Sequence, residues 1–312
     1  MTIALGVPAA HEWLRGTERL LILLLVSPHF LVSYQLLYWD RRAQLLSDPK
    51  LIFAAFVVPL ALLLLVLQAY LRPVVPLWLM IQAMFLLSGW HYLKQSFGCA
   101  VAACAAAGAP LEEGSKSSLR LALLALGALA FLVPNTGSMG FLYGGLGYPS
   151  LKLPHALVWI AAAVLFGALL KVPRKLPPAA LAALGGFAIW TLPILVYPDA
   201  FYTFRFVPLT AALHSLQYLA FAAPIRRKRS GGGWGFAAGW LIMTAVVGPL
   251  LFYALPNRLD AALAYDKAAL GPFFVTGMVH WFVNVHHYFI DAAIWRRDNA
   301  DLRAFIAERA AA

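Results

Sequence analysis

Four apolar segments of this 312-residue chain contain histidine, an ionisable residue that is costly to place in hydrocarbon. The residues are His29, His91, His214, His280, His286 and His287. Histidine is the commonest metal-ligating side chain, and ionisable residues inside membrane segments face the bundle interior and mark functional sites. The pattern therefore predicts a histidine-rich metal site inside a membrane.

The last of these segments carries two adjacent histidines. With 3.6 residues per helical turn, His280, Asn284, His287 and Asp291 fall on one polar stripe, while His286 points about 100° away from His287. The stripe therefore favours His287 as a ligand. Asp291, one turn away, is placed to orient its imidazole, as carboxylates commonly do beside metal-bound histidine.

Polar neighbours accompany the other histidines as well. Ser88 shares a helical face with His91, and Gln217 shares one with His214, with Tyr218 one position further. We therefore expect Gln217, Tyr218 and Asp291 to surround the ligands as the candidate catalytic residues.

Composition indicates the elements that must position these residues. Hydrophobic residues make up 62% of the chain, charged residues 12%, and the mean hydropathy is +0.77. A helix of roughly 20 apolar residues crosses a bilayer. We predict one all-α transmembrane domain over 1–312, a bundle of about nine helices, the third of which could continue to Ala107. The predicted spans are 18–39, 51–71, 74–96, 118–134, 154–171, 178–197, 202–225, 234–256 and 269–294.

Charge sets the expected orientation. With nine spans, most of the 24 Lys and Arg residues fall on one side of the membrane, the mark of the cytoplasmic side. The N-terminus is then outside, the C-terminus is cytoplasmic, and the histidines of helices 1, 3, 7 and 9 lie at similar depth. We expect a bacterial inner-membrane location. The formal net charge of +11 reflects this orientation rule rather than nucleic-acid binding.

The scarcity of acidic residues limits the chemistry. No Asp or Glu of the sequence lies deep within a predicted span, and Asp291 is near the end of the ninth. A carboxylate-bridged di-iron centre needs several such residues on facing helices, and an ion-coupled carrier also uses them. The chain carries no motif for a nucleophilic serine or cysteine triad. A site built mainly from histidine remains.

Four short motifs occur in order along the chain: Pro28-His29, His91 in a mid-chain helix, Leu213-His214, and Val285-His286-His287 followed by Asp291. Together they distantly resemble the Brp/Blh family of integral-membrane carotene 15,15'-dioxygenases, small helical membrane proteins whose proposed iron ligands are histidines on separate helices. Two positions depart from the family pattern. Tyr218 stands where the family has a second late-helix histidine, and Phe30 and Ser33 stand where it has Gly and Asp.

The resemblance implies a non-haem iron held by His29, His91, His214 and one or both of His286 and His287. It favours His286 over His287, because its spacing to Asp291 fits the family better. We predict a metal-dependent oxygenase or oxidase acting on a lipid-soluble substrate such as an isoprenoid, carotenoid or lipid. A haem protein for electron transfer, or a metal carrier or assembly factor, would use the same histidines, and copper or zinc could replace iron. The sequence leaves the oligomeric state open.

Overall fold

The computed structural model describes residues 20–136, 141–143, 146–148, 150–173, 175–196, 200–296 and 299–311. Within these ranges the chain is helical, apart from its connecting loops and one short antiparallel strand pair, β1 (Phe141–Tyr143) and β2 (Leu146–Tyr148). The longer helices are α1 (Ile22–Asp40), α2 (Pro49–Leu71), α3 (Val74–Ala106), α4 (Glu113–Thr136), α5 (Ala156–Leu169), α6 (Pro178–Val196), α7 (Ala200–Ser230), α8 (Trp234–Ala262), α9 (Phe274–Ile294) and α10 (Ala300–Ala311). A helix of four residues, Lys267–Leu270, precedes α9.

The helices agree with the predicted segments. Each predicted span overlaps one of α1 to α9, and α3 continues to Ala106, so that Lys94 lies within a helix rather than at its end. The sequence did not predict α10 or the strand pair. Helix α10 is short and carries charges around its surface, so it lacks the apolar run that marks the others.

The protein is an integral membrane protein of the helical class. Five of the described helices, α1 to α4 and α8, are long and apolar enough to cross a bilayer, and α5 and the first part of α6 are shorter apolar helices. Large apolar side chains face outward, as Leu60 and Leu63 of α2 do with more than half their surface exposed. Such a surface suits hydrocarbon rather than water.

Helix α1 changes its helical type just before the first histidine. Pro28 has no amide hydrogen, and the turn before it widens to a π-helix over Ile22–Val26. Helix α8 approaches closely at this point, because a Cβ added to Gly248 would lie only 2.7 Å from the carbonyl oxygen of Ser27. This close contact lies two residues before His29 and holds this part of α1 against α8.

Ion pairs join three helix ends at one end of the bundle. Asp40 of α1 pairs with Arg226 and Arg229 of α7, and Arg229 also pairs with Asp301 of α10. Arg41 adds a second contact to Asp301 at 3.5 Å. Two arginines of the basic run at the end of α7 are thus paired within the protein. The C-terminal ends of α1 and α7 lie together, so that these two helices run in the same direction.

Candidate metal centre

Four imidazole rings from four different helices meet in the protein interior. They belong to His29 of α1, His91 of α3, His214 of α7 and His287 of α9, and none is more than 6% exposed. The ring centroid of His29 lies 5.0 Å from that of His214 and 4.9 Å from that of His287. The centroid of His91 lies 4.6 and 4.9 Å from the same two rings. We call these residues the histidine cluster.

The nitrogen atoms of the histidine cluster face one another. His91 Nε2 lies 3.0 Å from His214 Nε2. Two nitrogens that bind one ion at about 2.0–2.1 Å lie roughly 2.9–3.4 Å apart, so this pair already has the spacing of neighbouring ligands. The spacing also suits a hydrogen bond between two neutral imidazoles, in which one ring donates and the other accepts.

Two sets of three side chains bring their ligand atoms within 4.8 Å of one another. One consists of His29, His214 and His287, and the other of His91, His287 and Asp291. The two sets share His287. Ligands on opposite sides of one ion lie roughly 4 Å apart, so small rotations would bring either set to a common cation.

Several of these atoms are buried without a hydrogen-bond partner among the residues that the structure describes. They are both ring nitrogens of His29, Nε2 of His287 and Oδ2 of Asp291. A buried polar atom without a partner costs about 1–3 kcal/mol. A cation could bind one ring nitrogen of His29 and Nε2 of His287, or Nε2 of His287 and a carboxylate oxygen of Asp291, so the residues present fit a metal ion.

The imidazole of His287 is oriented by its own helix. Its Nδ1 lies 3.3 Å from the carbonyl oxygen of Val283, and because a carbonyl only accepts, Nδ1 must be the donor. The lone pair of Nε2 then faces the histidine cluster. The sequence assigned this orienting role to Asp291. The structure instead places Asp291 Oδ1 3.2 Å from Ser33 Oγ and leaves Oδ2 facing His91 at 3.7 Å.

His286 lies outside the histidine cluster. Its Nε2 donates to the carbonyl oxygen of Ala54 at 2.8 Å, and its Nδ1 accepts from the hydroxyl of Tyr34 at 2.8 Å. Both ring nitrogens are therefore engaged, and the predicted ligand role would require breaking a hydrogen bond. His280 is also remote from the cluster, since its Nε2 donates to the carbonyl oxygen of Phe252 at 2.6 Å.

The three candidate catalytic residues have different positions. The ring of Tyr218 lies 4.3 Å from that of His29, and its hydroxyl is 3.0 Å from Ser33 Oγ, which connects it to Asp291. Gln217 donates from its amide to the carbonyl oxygen of Ala183 at 3.1 Å and accepts from Gln95 Nε2 at 3.3 Å, so its polar atoms bond residues outside the cluster.

Three aromatic residues that the sequence did not single out surround the histidine cluster. Tyr288 stacks on His91 with centroids 4.3 Å apart, Tyr92 lies 4.7 Å from His214, and Phe30 lies 4.8 Å from His287. Each directly follows a cluster histidine in the sequence. Their contacts with the histidines depend on how neighbouring helices pack, and the spacing of residues in the sequence does not predict that packing.

A cavity of about 830 Å³ adjoins the histidine cluster. His91, Tyr218, Tyr288 and Asp291 lie at its buried end, and apolar side chains such as Phe97 form much of its wall. Ligand pockets typically enclose about 300–1,000 Å³ with mostly apolar walls and a few polar groups. The cavity therefore has the size and lining of a ligand site.

Fold and site together define a helical membrane protein with a buried histidine cluster that is geometrically able to hold a metal ion. No protein-family model, curated protein or solved structure matches the chain. The resemblance to the Brp/Blh family thus stays a prediction based on four short motifs.

Proposed function

We propose that this protein is a membrane-embedded, metal-dependent oxygenase or oxidase that acts on a lipid-soluble substrate. The observation that carries the proposal is the histidine cluster, four buried imidazoles of which His29 and His287 have ring nitrogens without a partner among the described residues, beside an 830 Å³ cavity that His91 lines. The site combines metal ligands with space for an organic molecule beside them, which is the arrangement that a metal enzyme needs.

Non-haem iron is the metal that this donor set favours. His91, His287 and Asp291 form a group of two histidines and one carboxylate, the ligand combination of many non-haem iron oxygenases. His29 and His214 form the second set with His287 and supply further nitrogens. Bound iron would supply the activation of dioxygen, while imidazole ligands alone would also suit copper or zinc.

The protein's own residues would bind, orient and shield the reactants. The four histidines and Asp291 would hold the ion, and their burial would keep water away from it. Ser33 links the hydroxyl of Tyr218 to Asp291 and would fix the carboxylate while leaving Oδ2 for the ion. Phe97 and Trp295 line the cavity that would hold the substrate, and their rings favour an apolar molecule.

The alternatives of haem and of metal transport fit the geometry less well. A porphyrin needs a flat slot between its axial ligands, whereas these rings are in edge-to-face contact at 4.9–5.0 Å around His29. A carrier that passes its ion onward needs accessible ligands, whereas His29 is fully buried.

We also propose nine spans with an external N-terminus and a cytoplasmic C-terminus. The ion pairs of Asp40 with Arg226 and Arg229 support this arrangement, because it requires α1 and α7 to end on the same side. The pairs of Asp301 with Arg41 and Arg229 bring the start of α10 to that side as well.

The test is the metal content and visible spectrum of the purified protein, combined with oxygen uptake in the presence of a membrane lipid extract. We expect one iron per chain, no Soret band, and lipid-dependent oxygen uptake. A Soret band would instead indicate haem. Copper or zinc at a stoichiometry that varies with loading, without oxygen uptake, would indicate a carrier.

A further inference from the structure

Cations are concentrated in the wall of the cavity beside the histidine cluster. Among the residues that the structure describes, this wall includes five basic residues and one carboxylate, that of Asp291, which belongs to the proposed metal site. The five basic residues are Lys94, Lys116, Arg120, Arg296 and Arg303. They come from α3, α4, α10 and the segment after α9, so they converge on one space from several directions.

Arg120 is the cation best placed for a ligand within this space. Its guanidinium lies 4.9 Å over the ring of Phe97, which also lines the cavity. Stacking on a ring face leaves the N–H edge of a guanidinium to bind a carboxylate or phosphate. Lys116, one helical turn earlier on the same face of α4, adds a second positive charge, although it also contacts Glu113 at 2.7 Å.

The distance between His91 and the ring beside Arg120 indicates how a ligand would lie. Phe97 follows His91 by six positions on α3, a rise of about 9 Å along the helix axis, and the cavity continues along α3 to Ala105. Apolar side chains lie between them and beyond, including Leu93 of α3 and Leu124 of α4. An anionic group held at Arg120 would therefore leave an apolar chain directed toward His91 and Asp291.

We propose that the cavity binds a long-chain amphiphile with one anionic group, a carboxylate or a phosphate, held by Arg120 and Lys116 with its apolar chain beside the histidine cluster. This inference deepens the proposed function, on which it rests, by naming the class of substrate. The orientation rule alone would explain basic residues in cytoplasmic loops. It does not explain why they line a cavity between packed helices.

The test is equilibrium binding of three dibrominated 18-carbon chains, which differ only in carrying a carboxylate, a phosphate or an alcohol. Bromine quenches tryptophan fluorescence, and Trp90 and Trp295 line the cavity. We expect the purified protein to bind at least one of the two anions about tenfold more tightly than the alcohol, as for one well-placed charged hydrogen bond. Whichever anion binds more tightly identifies the headgroup.

Two variants and a control make the result specific. Arg120→Gln should remove the preference for the anion, and Arg120→Lys should keep part of it. Arg42→Gln is the matched control, because Arg42 also lies over a ring, that of Trp39, but does not line the cavity. The proposal would be overturned if the wild type bound the alcohol and the anions equally. It would also be overturned if Arg42→Gln and Arg120→Gln lost the preference for the anion to the same extent.

Metal analysis of the same preparations separates this inference from the function it extends. Binding is measured with and without a chelator, because the quenching signal needs no metal. Anion preference in protein that never binds iron would support the ligand site and contradict the oxygenase. Iron binding without any anion preference would contradict the ligand site alone.

Discussion

The Nε2 atoms of His91 and His214 lie 3.0 Å apart across the contact between α3 and α7, although the two residues are 123 positions apart in the chain. As neutral imidazoles they can share one proton at this distance, and a bound cation can take the place of that proton. The same contact therefore joins two helices in the metal-free protein and forms one side of the proposed site in the loaded protein.

Removing either member of this pair should remove the metal. We expect His91→Ala and His214→Ala each to lower metal affinity by more than about 100-fold, since loss of a ligand should exceed the 10–100-fold typical of supporting residues. Competition with a chelator measures this affinity. His155→Ala is the control, because His155 is exposed at the start of α5. Equal metal content in all three variants would mean that the two buried histidines are structural.

The adjacent histidines of α9 should behave differently from each other. We expect His287→Ala to abolish metal binding, because Nε2 of His287 faces the cluster. His286→Ala should retain the metal but lower stability by about 1–3 kcal/mol, because it leaves the Ala54 carbonyl and the Tyr34 hydroxyl without their partner. Metal analysis and thermal unfolding separate the two effects. Loss of metal in His286→Ala alone would show that the spacing to Asp291 in the Brp/Blh family, and not the polar stripe of α9, identifies the ligand.

Asp291 should contribute to metal affinity through its negative charge. Asp291→Asn keeps an oxygen for Ser33 but removes the negative charge from the atom that faces His91, so we expect about a 10–100-fold loss of metal affinity. Ser33→Ala should cause a smaller loss, because it frees the carboxylate without neutralising it. Chelator competition on both variants measures the difference. Wild-type affinity in Asp291→Asn would exclude the carboxylate from the site.

The close approach of α8 to α1 should be sensitive to a single methyl group. Gly248→Ala would place a Cβ 2.7 Å from the carbonyl oxygen of Ser27, and we expect a loss of about 1–3 kcal/mol in stability. Gly239→Ala on the same helix meets nothing within 4 Å and should be neutral or slightly stabilising. Thermal unfolding in detergent compares them. Equal stability of the two variants would mean that the contact between α1 and α8 accommodates the added methyl group without loss of stability.

Reporter fusions should establish the orientation. We expect a reporter after Arg229 to be cytoplasmic, where this residue pairs with Asp40 and Asp301. A reporter in the segment 137–147, part of which lies outside the described residues, should be external. Both reporters on one side would contradict the nine-span count.

The sequence predicted the helical membrane class because apolar runs of sufficient length specify both helix and bilayer insertion. The polar stripe on α9 favoured His287, and the structure brings His287 rather than His286 to the cluster. The carbonyl of Val283 could not be predicted as its partner, because every helical residue offers a carbonyl one turn back. The contact of Gln217 with Ala183 depends on the packing of α6 against α7, which local spacing does not encode.

X-ray absorption at the metal edge of the iron-loaded protein reads the ligands of the proposed site. We expect nitrogen and oxygen neighbours at about 2.0–2.1 Å, with an imidazole scattering signal from at least three histidines. That signal should fall in His214→Ala and stay unchanged in His286→Ala. A first coordination sphere without imidazole, or one that His214→Ala leaves unaltered, would contradict the account.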